Sequence, residues 1–573
     1  MDAIVFGATG FIGRSLVAEL LGRGQTVAAA VRNDTLTPWL TARGVDLAGL
    51  TVVTADITRP LTDLPQARDV YNTAARYAFG LGVEEARATN VIGAINVLEW
   101  AATLPGLRRL VHVSGYRVSA PEGEPDYPGL GAYEASKFEG DLAVRRLARE
   151  RGVPLTIANP STVIGPGQYL GLAGLVRDLW EGRLPAIPGG PDVFVPIVTI
   201  DYFVRFLARL PESPAGEHHW VLDDNTPRLP ALIRTVADHM GVRAPRRSVP
   251  VGLLRRLPRR LTGADPETLS FLSTDTYPTA SAQSVAAAAG LEMPGAEEAL
   301  REWADHLVAE RFGASSPWLR PYGFEAVAGS RTWISGDRDT PDYVLLHGLP
   351  LNADSWAPVA SRLPGSVLAP DLPGLGRSAA SDRPVETWLA DLMSRVRTRP
   401  VLVAHSAACG PALRYAVEHP DRLSRLVLIS PPFLQAPGPR SARSPLAAGM
   451  LRRMSTDRLA ATLGLRPGPE IDSAAADLRR PGAARRVVRA LRTVHSDRAR
   501  SRELLDRVRV PVEIIAGAAD PLIVPVAHPV TEVPGAGHYP QLTHPAELAG
   551  HPGFGQPSTV RMVQKSEAFI ESR

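Results

Sequence analysis

The chain has 573 residues, more than one hydrophobic core usually serves, so we expect two large domains or three smaller ones. Hydrophobic residues make up 45% and charged residues 21% of a chain with a net charge of +4 and no basic block, which argues against a nucleic-acid partner. The single cysteine, Cys409, excludes an internal disulfide and a cysteine-based zinc site. No apolar run is long enough to span a membrane, and we expect a cytoplasmic setting.

The first predicted elements are a strand, a glycine-rich turn and a helix. The apolar run at residues 3–6 is typical of a buried parallel strand, and residues 14–21 carry apolar side chains at helical spacing. Between them, the segment GATGFIG (residues 7–13) supplies glycines where a tight turn and a close backbone approach need them. A pyrophosphate binds the backbone N–H groups at the N-terminus of such a helix. The arrangement therefore predicts a dinucleotide-binding loop.

The second predicted strand, residues 26–31, ends in Arg32. At this position a carboxylate would bind the 2′-OH of the adenosine ribose, whereas an arginine suits a 2′-phosphate. We therefore expect NADP in preference to NAD. The alternative interpretation is that Arg32 is a solvated loop residue.

Three further strands are predicted to end at one edge of the sheet, where ligands bind in open α/β folds. Asp56, the small residues 73–75 and Ser114 follow these strands in turn. Small residues at the end of a strand allow a flat ligand to lie close to the backbone. The predicted strands cover residues 50–55, 69–72 and 110–113.

A helix that begins near Tyr133 carries a tyrosine and a lysine four residues apart, so Tyr133 and Lys137 share one helix face. The Lys137 ammonium favours the phenolate and so lowers the pKa of Tyr133 toward a value useful for proton transfer. The chain contains only two lysines, Lys137 and Lys565, among many arginines. The pair is therefore a candidate catalytic site, with an ordinary surface pair as the alternative.

Together these motifs resemble an extended short-chain dehydrogenase/reductase over residues 1–313. The resemblance implies that Tyr133 is the acid/base, that Lys137 lowers its pKa and binds ribose, and that Ser114 orients a carbonyl. It also implies a set of cofactor contacts. These residues are Gly7, Thr9, Gly10, Phe11, Ile12, Gly13, Arg32, Asp56, Ile57, Ala74 and Lys137.

Three other positions are interpreted through the same resemblance. Asn90 matches the asparagine that supports the lysine through water. Residues 194–201 resemble the strand that returns to the sheet. Asn159 stands where many relatives carry arginine, which argues against a nucleotide-sugar substrate.

A linker is predicted at residues 314–320, where small and polar residues precede Pro317. The strand pattern then restarts. A hairpin-like pair is predicted at 324–327 and 331–334, and a buried strand at 343–346. The restart predicts a second domain.

The second half contains a predicted strand that turns sharply at Ser406 into a helix, as in a nucleophile elbow. Both usual elbow glycines are replaced, by Ala404 and Ala408, which are still small enough for the backbone to pack closely. Asp520 and His538 each follow a later apolar run, so the three residues occur in the order Ser, Asp, His.

Residues 321–550 therefore resemble the α/β-hydrolase family. The resemblance implies that Ser406 is the nucleophile, His538 the base, and Asp520 the group that holds the imidazole tautomer. The alternative is a degenerate hydrolase fold that binds a ligand without catalysis.

The same resemblance assigns the remaining parts of this half. Backbone N–H groups of Leu349 and Ala407 would form the oxyanion hole. Residues 433–502 would form a helical cap. Residues 551–573 differ in composition and are expected to be an atypical tail.

The predicted fold is a Rossmann-type doubly wound parallel sheet followed by an α/β-hydrolase fold with a helical cap. The predicted function is bifunctional: an NADP-dependent carbonyl reductase or alcohol dehydrogenase fused to a serine hydrolase for an ester, thioester or lactone. Two alternatives remain, an epimerase or dehydratase with a recycled cofactor, and one half that only binds. We expect small-molecule substrates and no metal, and the sequence leaves a homodimer open.

Overall fold

The chain is described by a computed structural model that covers residues 1–76, 81–117, 124–254, 272–314, 317–318 and 321–555. The chain divides into two compact units. Residues 1–176, 184–239 and 244–304 form the first, and residues 177–183, 240–243 and 305–573 the second. Four residues of the predicted linker and the predicted tail beyond residue 555 lie outside the described residues.

The described part of the first unit contains eleven strands. They are β1 (Ala3–Phe6), β2 (Val27–Val31), β3 (Leu50–Thr54), β4 (Asp69–Asn72), β5 (Arg109–Val113), β6 (Leu155–Pro160), β7 (Thr162–Ile164), β8 (Ile187–Pro188), β9 (Ile197–Thr199), β10 (His218–Val221) and β11 (Ser248–Val249). Seven of them form a parallel sheet in the order β10-β6-β5-β4-β1-β2-β3.

Strand β1 shows why the central strands form. Ala3 and Val5 pack into the core on one face of the sheet, and Ile4 and Phe6 into the core on the other, all without solvent exposure. A parallel strand covered on both faces needs such a continuous apolar run. The strand order reverses between β1 and β4, which opens a crevice at the carboxyl ends of these strands. The predicted Rossmann-type fold is confirmed.

The expectation that residues 194–201 return to the main sheet is wrong. Only Ile197–Thr199 forms a strand, β9, and it pairs with β7 in a separate two-stranded sheet. The main sheet is extended instead by β10, which pairs with β6. An apolar run of this length fits any buried strand, and its pairing partner is decided by the packing of the whole unit.

The helices of the first unit cover both faces of the sheet. The α-helices that lie wholly in this unit are Phe11–Gly22, Leu36–Thr41, Val83–Arg87, Gly93–Ala102, Tyr127–Leu130, Ala132–Arg151, Ile200–Leu207, Val251–Leu254 and Ala280–Ala288. Three more α-helices begin in it, Leu172–Trp180, Leu229–Met240 and Ala296–Ala309. A π-helical turn, Ala88–Ile92, joins Val83–Arg87 to Gly93–Ala102.

The second unit contains a mainly parallel sheet of eight strands. They are β12 (Tyr322–Val327), β13 (Ser330–Gly336), β14 (Tyr343–Leu346), β15 (Val367–Pro370), β16 (Val401–His405), β17 (Arg425–Ile429), β18 (Val512–Gly517) and β19 (Val530–Val533). The order is β12-β13-β15-β14-β16-β17-β18-β19. The predicted hairpin is present, because β12 and β13 are antiparallel, and β13 is also antiparallel to β15.

Five α-helices lie between β17 and β18, in the region predicted to form the cap. They are Ala447–Arg453, Thr456–Leu463, Pro469–Arg479, Ala483–Ser496 and Arg498–Leu505. The other α-helices that lie wholly in this unit are Ala357–Ala360, Val385–Ser394, Cys409–Glu418, Pro540–Thr543 and Pro545–Ala549. In the described ranges, every helix is too short or too polar to cross a bilayer.

The last described residues belong to the core of the second unit. The Phe554 ring is buried, 6.2 Å from the ring of Tyr343. The Tyr343 hydroxyl donates a hydrogen bond to the Gly555 carbonyl at 3.0 Å. The first residues of the segment expected to be an atypical tail therefore pack against β14.

Candidate active sites

The glycine turn after β1 is held by close backbone contacts. Gly7 has a φ of +77°, and the Gly10 N–H donates to the Gly7 carbonyl at 2.9 Å. A Cβ at Gly13 would lie 2.1 Å from that carbonyl oxygen, and one at Gly7 would lie 2.7 Å from the backbone of Ala74. Glycine at these positions therefore allows β1, the helix Phe11–Gly22 and the residues after β4 to approach this closely.

The start of the helix Phe11–Gly22 is open to a ligand. Thr9 and Gly10 are exposed, and Phe11 and Ile12 are half-buried. The first N–H groups of a helix have no intrahelical partner and favour an anion. Gly10 is the N-cap residue of this helix, and no described side chain accepts a hydrogen bond from these N–H groups as a cap. The turn therefore fits the pyrophosphate of a nicotinamide dinucleotide.

Arg32 and Asp56 follow the neighbouring strands β2 and β3. Arg32 is exposed. The Asp56 carboxylate accepts hydrogen bonds from the Thr58 N–H at 3.0 Å and from the Thr58 hydroxyl at 2.8 Å. These bonds lower the pKa of Asp56, and the charge of Arg32 adds to the effect. The Asp56 carboxylate is therefore already held by hydrogen bonds within its own loop.

Ile57 and Ala74 are half-buried at the ends of β3 and β4, and hydrogen bonds fix the backbone at both places. The Ile57 carbonyl accepts from Asn96 Nδ2 at 2.8 Å, and the Ala74 N–H donates to Asn72 Oδ1 at 3.2 Å. The structure thus brings the predicted cofactor residues to the carboxyl ends of β1 to β4.

Lys137 reaches the end of β5. It is 3% exposed on the helix Ala132–Arg151, and its Nζ donates to the Val113 carbonyl at 2.8 Å. Burial lowers the pKa of this ammonium to about 8, although nearby carboxylates oppose the change. The buried Ser114 comes directly after Val113. The sheet edge therefore brings Lys137 beside Ser114.

Tyr133 is half-buried one turn before Lys137 on the same helix. Asn90, in the π-helical turn, donates from Nδ2 to Ser136 Oγ at 2.9 Å and accepts from the Arg76 N–H at 2.9 Å. Ser136 Oγ in turn donates to the Tyr133 carbonyl at 2.9 Å. Asn90 therefore supports the helix that carries the pair, and its water-mediated role toward Lys137 stays a prediction.

An ion pair between Asp141 and Arg145, which is not among the predicted site residues, extends this face of the helix. Asp141 is fully buried, and burial raises the pKa of its carboxyl. The only sequence signal is the spacing of four residues from Lys137 to Asp141 and again to Arg145.

The predicted nucleophile elbow lies between β16 and the helix Cys409–Glu418. Ser406 has a φ of +50°, the strained conformation that such a turn requires. Ala404 and Ala408 on either side are buried, and their methyl groups fit within the turn. The replacement of both usual glycines by alanine therefore leaves the elbow intact.

The three residues predicted as a triad form a continuous hydrogen-bonded row. His538 Nε2 lies 2.8 Å from Ser406 Oγ, and His538 Nδ1 lies 2.5 Å from Asp520 Oδ2. Ser406 is 7% exposed, and the His538 and Asp520 side chains are 29% and 31% exposed. The geometry is that of a base able to take a proton from the serine while the carboxylate fixes its tautomer.

The two predicted oxyanion-hole residues lie on segments next to Ser406. Ala407 directly follows Ser406 in a 3-10 turn. Leu349 follows Gly348, where a Cβ would lie 2.9 Å from the Cβ of Ser406. The Leu349 carbonyl accepts from the Tyr539 hydroxyl at 3.3 Å, next to His538.

His405, for which the sequence predicts no role, contacts His538, the predicted base. It is fully buried, and burial lowers its pKa to about 3, so its ring is neutral. Its Nε2 lies 2.7 Å from the His538 carbonyl, to which it donates, while Gln541 Nε2 lies 3.3 Å from its Nδ1. The sequence feature that could have indicated a role for this residue is a histidine at the end of an otherwise apolar strand.

Comparison with known families assigns both units. The model of the NAD dependent epimerase/dehydratase family matches residues 3–179, and that of the Alpha/beta hydrolase family matches residues 343–551. The protein therefore belongs to the NAD-dependent epimerase/dehydratase family in its N-terminal half and to the α/β-hydrolase family in its C-terminal half.

Curated relatives agree with this assignment. UDP-glucose 4-epimerase of Mycolicibacterium smegmatis is 30% identical over 230 residues, 36% of this chain and 72% of the relative. Sterol demethylase protein B of Methylococcus capsulatus is 29% identical over 278 residues, 44% of this chain and 79% of the relative. Pimeloyl-[acyl-carrier protein] methyl ester esterase of Aromatoleum aromaticum is 31% identical over 242 residues, 36% of this chain and 95% of the relative.

Proposed function

We propose that the protein is a bifunctional enzyme, an NADP-dependent carbonyl reductase joined to a serine hydrolase for an ester, thioester or lactone. The proposed domains are residues 1–313 and 321–550, joined by the linker 314–320. The row of hydrogen bonds from Ser406 through His538 to Asp520 is the observation that carries the hydrolase half.

In the hydrolase half, Ser406 Oγ attacks the carbonyl carbon of the ester as His538 Nε2 takes its proton. Asp520 keeps the other ring proton on Nδ1 and stabilises the imidazolium. The N–H groups of Leu349 and Ala407 stabilise the oxyanion. His538 then protonates the leaving alcohol, and a water molecule activated by the same ring hydrolyses the acyl-enzyme. The esterase relative supports an ester substrate by analogy.

In the reductase half, the glycine turn and the helix Phe11–Gly22 would hold the cofactor's pyrophosphate, and Arg32 would bind a 2′-phosphate. A bound nicotinamide would supply the hydride. Ser114 would donate a hydrogen bond to the substrate carbonyl, and Tyr133 would protonate the resulting oxygen. The ammonium of Lys137, held at the end of β5, would stabilise the tyrosinate that is left.

The hydrolase proposal is tested by labelling the full chain with a fluorophosphonate probe. We expect labelling of the wild type and none of Ser406→Ala, because the probe reacts with an activated serine. A wild-type chain that takes no label would refute the proposal and favour a fold that only binds.

The reductase proposal is tested by the consumption of NADPH with a panel of aldehydes and β-keto esters. We expect turnover by the wild type and a loss of at least about tenfold in Tyr133→Phe, which lacks the proton donor. A second candidate is an epimerase with a recycled cofactor, which the family match and the epimerase relative favour. Conversion of substrate without net NADPH consumption would support that candidate instead.

A further inference from the structure

Gln435 makes two contacts with the proposed catalytic aspartate. It lies in the segment that follows β17, before the cap helices, and its side chain is buried. Gln435 Nε2 donates to Asp520 Oδ2 at 2.6 Å and to the Asp520 backbone carbonyl at 2.9 Å. One amide group therefore holds both the carboxylate and the backbone of Asp520.

These contacts restrict the position of the carboxylate. Asp520 Oδ2 is also the oxygen that contacts His538 Nδ1 at 2.5 Å, so the ring of the base and the Gln435 amide converge on one atom. The side chain of Asp520 is 31% exposed, and the terminal torsion of an aspartate has only weak rotamer preferences. Without the amide, the carboxylate would be free to turn toward water and away from the imidazole.

The segment that carries Gln435 is attached to the last helix of the cap region, Arg498–Leu505. The Arg498 guanidinium donates to the carbonyls of Pro432 and Gln435, and Arg502 Nε donates to the Phe433 carbonyl at 2.7 Å. Charge-assisted hydrogen bonds of this kind are stronger than neutral ones. The cap helix therefore fixes the backbone on both sides of Leu434.

The remaining carbonyl of this segment is held by the loop that follows Asp520. The Leu434 carbonyl accepts from the Ile523 N–H at 2.8 Å and from the Val524 N–H at 3.2 Å. Four successive carbonyls, at residues 432–435, are thus occupied, three by the cap helix and one by the aspartate loop. The segment has little freedom to move the Gln435 amide away from Asp520.

From this geometry we infer that Gln435 is a positioning residue for the hydrolase reaction, which links the cap helix Arg498–Leu505 to the Asp520–His538 pair. The inference rests on the proposed hydrolase function. Gln435 keeps Asp520 Oδ2 in line with the imidazole. Arg498 and Arg502 keep Gln435 in place.

The first test compares Gln435→Leu with the wild type in the full chain, by hydrolysis of a p-nitrophenyl ester and by the rate of fluorophosphonate labelling. Loss of one hydrogen bond to a charged group corresponds to a decrease of about tenfold in kcat, with little change in KM. Far-UV circular dichroism and a thermal melt verify that the variant is folded. A folded Gln435→Leu with wild-type kcat and labelling rate would overturn the inference.

The pH dependence of kcat in Gln435→Glu distinguishes a positioning role from a merely structural one. When protonated, the glutamic acid donates to Asp520 as the amide does, and when ionised it repels the carboxylate. We expect the ratio of its kcat to that of the wild type to rise as the pH falls from 8 to 5, while the ratio for Gln435→Leu stays flat. A ratio for Gln435→Glu that does not change with pH would contradict the proposed contact.

The link to the cap is tested with Arg502→Leu and with Arg500→Leu, an exposed arginine on the same helix, as the matched control. We expect Arg502→Leu to lower kcat several-fold, and its effect to be largely absent when Gln435 is already leucine, because both changes release the same aspartate. Effects that multiply, or an equal decrease in Arg500→Leu, would refute the link.

The failure of the inference and that of the proposed function are distinguishable. If the wild type takes no label at Ser406, the proposed function fails. If the wild type is labelled and the Gln435 variants react as it does, only the positioning role fails.

Discussion

Substitution of Gly13 by alanine tests whether the glycine turn binds a nicotinamide cofactor. The added Cβ would lie 2.1 Å from the Gly7 carbonyl oxygen and 2.8 Å from Thr73 Oγ1, whereas Cβ contacts below 3.0 Å essentially do not occur. The start of the helix Phe11–Gly22 must therefore move by about 1 Å relative to β1, because backbone cannot yield as a flexible side chain does. The N–H groups proposed to bind pyrophosphate move with it.

Two effects set the size of the expected changes in stability and in cofactor affinity. Overpacking of a tightly packed site costs about 1–3 kcal/mol of stability. A misplacement of about 1 Å can cost a factor of about 100 in a positioned interaction. At a cofactor concentration of about 100 Kd, the wild type gains about 2.7 kcal/mol from binding, and a 100-fold higher Kd leaves about 0.4 kcal/mol of this gain.

Thermal unfolding of the full chain with and without NADPH measures both effects. Gly22→Ala is the matched control, because Gly22 ends the same helix and a Cβ there meets no atom within 4 Å. We expect the control to keep the cofactor-induced shift and Gly13→Ala to lose most of it. If Gly13→Ala kept both the wild-type stability and the full shift, the turn would not be the cofactor loop.

Three further outcomes are expected. Arg32→Ala should raise the Kd for NADPH about tenfold and leave that for NADH nearly unchanged in fluorescence titrations; an equal effect on both would refute recognition of a 2′-phosphate. Burial lowers the pKa of Lys137 from 10.5 to about 8, so the unfolded chain binds more protons between these pH values and stability rises with pH there. Lys137→Met should remove this part of the rise, measured by urea unfolding at pH 8 and pH 10, and an unchanged rise would contradict the assignment. Arg377 is 1% exposed and forms ion pairs with two buried aspartates at 2.6 and 2.9 Å. Arg377→Met should therefore destabilise the chain by about 3–5 kcal/mol. As a control, Arg397→Met, which removes an exposed ion pair, should change stability by less than about 0.5 kcal/mol. Equal unfolding midpoints for these two variants would refute the argument.

Local sequence patterns determined the main features of both units. The glycine turn follows an apolar strand and precedes a helix, and this order alone indicates where the chain must turn sharply. The order of Ser406, Asp520 and His538, each after an apolar run, by itself indicates an α/β-hydrolase. These predictions succeeded because each rests on residues adjacent in the chain or on an order that the fold itself imposes.

Other features were decided only by the tertiary structure. Residues 197–199 pair with β7 rather than with the main sheet, because an apolar run carries no information about its partner. Gln435 is 85 residues from Asp520 in sequence, and nothing in its neighbours marks it as a contact of the aspartate. The chain thus specifies its strands, its turns and the predicted catalytic residue types locally. The residues that contact the predicted catalytic groups are brought together by packing over long separations, which no short motif records.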